Sequence, residues 1–140
     1  MGVRSVRASR WRGLIAPLGL GAAAAAAFAY VGSVDPNEAG HYPTCPFLAT
    51  TGLLCPGCGG LRMTHAIAHG QFGEAASKNL LAFVMIPVVL YLWGLWVVAA
   101  WRGTEVRTRL SHRWLIMGFV GTIAVFWVLR NLPFGGFLAP

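Results

Sequence analysis

Apolar residues in this chain come in long blocks separated by polar stretches, not in a short-period alternation. Three blocks are long enough to cross a bilayer: Gly13 to Val34, Leu80 to Trp101, and Trp114 to about Leu129. At a rise of 1.5 Å per residue the first two cover roughly 30 Å, a full hydrocarbon core, and the third roughly 24 Å. The third can borrow length from the apolar tail Leu132 to Leu138, although Gly135-Gly136 argues that this tail is not simply more helix. The pattern predicts an all-α integral membrane protein with three transmembrane helices. Its expected divisions are a basic N-terminus (1–12), a first helix (13–34), a polar loop (35–79), a second helix (80–101), a basic loop (102–113), and a third helix with its tail (114–140).

The first span is built of small residues, with Gly19, Gly21 and the run Ala22 to Ala27, which lets another helix approach closely. The second is bulkier, carries Tyr91, Trp93 and Trp96, and holds Pro87, where a kink is expected. Gly118 and Gly121 give the third a small-residue face suited to contact with the first. No acidic, basic or histidine side chain lies within the core of any span, which argues against an ion pathway or proton relay.

Composition supports the membrane reading: 56% of the 140 residues are hydrophobic and only 11% charged, far outside soluble norms. The net charge of +7 resides in arginines beside the apolar blocks, with no folded basic face or stacking platform, so nucleic-acid binding is not expected. Arg4, Arg7, Arg10 and Arg12 precede the first span, and Arg102, Arg107, Arg109 and Arg113 fill the loop between the second and third. The positive-inside bias then places the N-terminus and this loop in the cytoplasm and residues 35–79 outside. Trp11, Trp101 and Trp114 fall at the inner interface, where indoles settle. The N-terminal block also has the form of a secretory signal peptide with an Ala27-Phe28-Ala29 cleavage pattern, but the apolar run continues past it through Val34. Either way the outer loop ends up outside.

That loop holds all three cysteines: Cys45, and Cys55 and Cys58 in the run Cys55-Pro56-Gly57-Cys58-Gly59. A Pro-Gly pair favours a type II turn, with Gly57 at positive φ, and such a turn brings Cys55 and Cys58 close enough to share a metal or form a disulfide. Beyond the turn, with Pro56, Gly57 and Gly59 shaping it, a short helix is expected over about Leu61 to His69, ended by Gly70. His65 and His69 share one face of it at i, i+4. Leu61, Ile67 and Phe72 are available to dip into the membrane interface, and Asn79 stands where the second span needs an N-cap. Arg62 is a candidate contact for an anionic lipid phosphate or for loop carbonyls.

The run Cys45-Pro46-Phe47, Thr51-Gly52, Cys55-Pro56-Gly57-Cys58-Gly59 with Arg62, then His69-Gly70-Gln71-Phe72, Ala75-Ala76 and Asn79, resembles the signature of the bacterial membrane family catalogued as domain of unknown function 2752. The likeness extends from Cys45 to the end of the second span. Leu80 stands where the family pattern usually has proline. The resemblance implies a small polytopic protein of the bacterial cytoplasmic membrane and no established activity.

Three readings of the cysteines remain open. In one, they form a zinc-type knuckle completed by a histidine, with Cys45, Cys55, Cys58 and His65 as ligands. In another, Cys55 and Cys58 form a disulfide or a redox pair with Cys45 as resolving thiol, as an outer location permits, though without a thioredoxin-like context. In the third they are small buried residues in a tight cap. Haem attachment is disfavoured, because Gly59 occupies the place of the required histidine. The function expected is an accessory or structural membrane component, associating with lipid and with other membrane proteins or itself. The alternative is a membrane thiol-disulfide oxidoreductase.

Overall fold

The computed structural model describes residues 3–38, 40–104 and 113–139. Among these every regular element is helical. In chain order they are α1 (Val3–Ser33), α2 (Pro46–Thr51), α3 (Gly60–Ala68), α4 (Phe72–Lys78), α5 (Leu80–Arg102), α6 (Arg113–Arg130) and a final 3₁₀ helix, Pro133–Leu138. Gly13–Ser33 within α1, all of α5 and all of α6 are long and apolar enough to cross a membrane. α1 begins at Val3, so one helix takes in the basic N-terminal residues and the first apolar block. Arg107, Arg109 and His112 of the expected basic loop lie outside the described residues.

α1 and α5 pack against each other through a glycine. A Cβ at Gly21 would lie 2.7 Å from Cζ2 of Trp93, so only glycine leaves room for the indole. The ring lies close enough for Trp93 Nε1 to donate to the Pro17 carbonyl at 2.9 Å, one turn earlier on α1. At the far end of the same pair, Trp11 and Trp101 meet edge-to-face with centroids 6.3 Å apart. α5 runs unbroken through Pro87. α6 makes no such glycine contact among the described residues: Gly118 and Gly121 have nothing within van der Waals reach, and its two buried side chains, Phe126 and Arg130, lie in its last turns.

The loop holds three short helices where one was expected. Pro46, preset for a first helical position, opens α2, and the Thr50 and Thr51 hydroxyls donate back to the Pro46 and Phe47 carbonyls. α3 ends in a Schellman motif: Gln71 N donates to Ala66 O at 2.8 Å and Gly70 N to Ile67 O at 3.0 Å, with Gly70 at φ 74°. α4 carries the Glu74–Lys78 pair one turn apart, with 3.8 Å between the charged atoms. Met63, Ala66 and Ala75 form the core of this cap, with Ile67, Ala82, Phe83 and Ile86 packed on it. Ile67 therefore faces inward and not toward the interface. Leu61 and Phe72 remain exposed, as an interfacial role requires.

Candidate metal centre

The turn that carries the cysteines is closed by Cys58 N donating to Cys55 O at 3.1 Å. Gly57 does not adopt a positive φ, which rules out the expected type II turn. The left-handed residue is Gly59, at φ 84°, which lets the chain break from the turn into α3 as its N-cap. A Pro-Gly pair is compatible with either turn, because glycine also accepts a negative φ.

Three side chains from distant positions gather the carbonyls of this turn. Asn79, fully buried, accepts from Ala82 N at 3.0 Å as the expected N-cap of α5. Its amide donates to Pro56 O at 2.9 Å and Cys58 O at 3.2 Å. Arg130, only 2% exposed at the end of α6, donates from Nη1 to Cys55 O at 3.1 Å and Cys58 O at 3.2 Å, and from Nη2 to Cys58 O at 3.2 Å. The guanidinium also lies over the Phe126 ring, 5.1 Å from its centroid. Asn131 completes the attachment like a borrowed strand: Leu54 N donates to its Oδ1 at 2.8 Å and its Nδ2 donates to Leu54 O at 2.9 Å. Phe47 of α2 packs edge-to-face on Trp127 with centroids 5.8 Å apart. The end of α6 thus holds both the turn and α2.

With the backbone fixed, the three sulfurs converge within 4.8 Å of one another. Cys55 Sγ is 3.0 Å from Cys58 Sγ and 3.6 Å from Cys45 Sγ, and Cys55 N donates to Cys58 Sγ at 3.2 Å. All three are free thiols. Zinc–sulfur bonds of about 2.3 Å in a tetrahedron would set the sulfurs about 3.8 Å apart, so a modest outward shift would accommodate such an ion. Amide N–H groups at the start of α2, Leu48 first, and the Cys55 thiol favour ionised Cys45, whose thiol falls below its ordinary range although its sulfur closes no capping hydrogen bond. Burial pushes the Cys58 thiol up to about 11, with the Cys55 thiol beside it adding to the effect. Thiolates this close repel one another, and a bound cation would relieve that repulsion.

The other expected site residues fall elsewhere. His65 is not brought to the sulfurs: its Nδ1 lies 2.8 Å from the Val31 carbonyl of α1 and its Nε2 3.9 Å from Asp35. It shares a face with His69 as expected, the rings 4.3 Å apart. Arg62 is exposed. The cation at the turn is Arg130, which sequence reasoning passed over together with Asn131. One signal was present: an arginine directly at the end of an apolar span calls for a partner.

These features define a class: a helical protein with three helices long and apolar enough to cross a membrane, and a three-cysteine centre at one end. Residues 45–93 match the model of the family described as Protein of unknown function (DUF2752), the family that the cysteine pattern resembles. The match runs from the first thiol to Trp93 on α5 and leaves Arg130 and Asn131 outside it. No curated protein and no solved structure gives a significant match.

Proposed function

We propose that Cys45, Cys55 and Cys58 bind a soft divalent ion of the zinc type, and that this centre ties the 35–79 loop to the end of α6 in an accessory or structural membrane component. The observation that carries this reading is the convergence of three thiols on a turn whose carbonyls are clamped by Arg130 and Asn79. The donor set suits a borderline-soft cation. The ion would neutralise two of three thiolate charges, and the Arg130 guanidinium beside the turn balances the third. Metal analysis of the purified chain tests this: about one ion per chain is expected, lost in Cys55→Ser and Cys58→Ser because hydroxyls replace thiolates poorly. A metal-free wild type would contradict it.

The setting we propose is a bacterial cytoplasmic membrane, with the N-terminus inside and the cysteine loop outside. An impermeant thiol reagent on intact cells should then reach the native cysteines, after chelation if needed, and spare a Thr108→Cys variant. Exposed Arg62 is suited to an anionic lipid phosphate, and the small-residue faces of the spans to self-association or other membrane proteins.

Thiol–disulfide exchange is the second reading, favoured by the 3.0 Å between Cys55 and Cys58 sulfurs, with Cys45 as resolving thiol. It predicts mixed disulfides with a partner in Cys58→Ser, because exchange runs through such adducts.

A further inference from the structure

Resting on the metal reading above, we infer that the three-thiolate ion keeps a fourth coordination position that this chain does not fill, and that a small monodentate lone-pair donor from outside the chain occupies it. Zinc-type ions complete a tetrahedron, and three protein ligands with one exchangeable position mark an open centre, not a closed structural one. Among the described residues no histidine or carboxylate joins the three sulfurs. His65 lies on the Val31 carbonyl, His69 Nδ1 on the His65 carbonyl at 2.9 Å, and His41 Nδ1 on the Asp35 carbonyl at 3.2 Å. Asp35 accepts from the Asn37 amide, Glu38 lies 3.4 Å from His41, and Glu74 faces Lys78. Glu105 and His112 lie outside the described residues.

A second observation points to a guest with lone pairs. Trp127 Nε1 and Arg130 Nε are buried donors with no acceptor among the described residues, both on the turn of α6 that docks against α2 and the cysteine turn. Buried donors are almost always partnered, so two orphans at one junction favour an acceptor there. A cation would not satisfy them.

Cobalt(II) and azide probe the position in the full-length protein in detergent. Cobalt should bind with sulfur-to-metal absorption of a strength that corresponds to three thiolates per ion, absent in Cys55→Ser and Cys58→Ser, which lose the ion. Azide should then shift the cobalt ligand-field bands saturably. His65→Gln, which keeps a donor for the Val31 carbonyl, should load cobalt and respond to azide as the wild type does. Trp127→Phe, which keeps the ring against Phe47, should weaken azide binding several-fold at unchanged sulfur absorption. Bands that azide does not move, or a His65→Gln spectrum that differs from wild type, would overturn the open position while leaving the metal centre standing. An azide constant unchanged in Trp127→Phe would overturn its placement beside α6. Failure to bind cobalt at all would instead sink the metal reading itself.

Discussion

α1 and α5 pack along their length, whereas α6 is attached by its last turn. The first pair meets through absent bulk: Gly21 makes room for Trp93, whose indole reaches a backbone carbonyl of the partner. α6 has glycines of its own, Gly118 and Gly121, but they meet nothing among the described residues. Its attachment is polar, through Arg130 and Asn131 to the backbone of residues 54–58. Lipid tails are as apolar as the helices, so an apolar helix gains little by choosing protein over lipid unless backbones approach closely or polar groups bond. The first attachment leads with close approach and adds one hydrogen bond, and the second leads with hydrogen bonds and adds the Phe47–Trp127 contact.

Removing the polar route should have the largest effect. Arg130→Met keeps the stem but loses bonds from a charged donor, and should destabilise the cap by about 3 kcal/mol, the upper range for such bonds. A thermal melt in detergent would show it, and an unchanged midpoint would mean that α6 is held by something else. The steric route comes next. Gly21→Leu forces the Trp93 ring off α1 and should cost about 2 kcal/mol by overpacking, visible as altered fluorescence of the displaced indole. If neither stability nor fluorescence moves, the close approach of α1 and α5 is not a constraint.

A smaller effect separates two glycines of the turn. Gly59→Val places a β-branched residue at φ 84° and should cost about 1–2 kcal/mol. Gly57→Val should change stability by less than about 0.5 kcal/mol, since φ there is not positive and its Cβ would lie 3.9 Å from Cys55 Sγ. Equal losses from both would contradict the turn described. The gentlest test is the order of alkylation in metal-free protein. Cys45 ionises below its ordinary range and should react first near pH 8, while buried Cys58, raised to about 11, should react last and gain rate only as pH climbs toward that value. Mass spectrometry of partly alkylated protein would detect a reversed order.

What was legible in the sequence follows the reach of each interaction. The three spans are contiguous apolar runs, and Asn79 as N-cap and Gly70 as helix end are local chemistry, so the pattern disclosed them. The cysteine pair is local as well, and its place on a turn was read correctly. Gly59 shows a limit even at short range, because Pro-Gly fits two turn types and only the following chain direction decides between them. Arg130 and Asn131 act across 72 to 77 residues, and nothing near them in sequence says which carbonyls they will meet. His65 fails for a related reason: spacing puts it on a face with His69, but which way that face turns depends on α1.

The central claim is that Arg130, which supplies no ligand, holds the turn on which the three thiols become a metal site. The direct measurement is the metal content of purified Arg130→Met beside Arg62→Met and wild type. Arg62→Met should retain the ion at the wild-type level, and Arg130→Met should lose most of it with all three cysteines still present. Loss in Arg62→Met with retention in Arg130→Met would contradict the account.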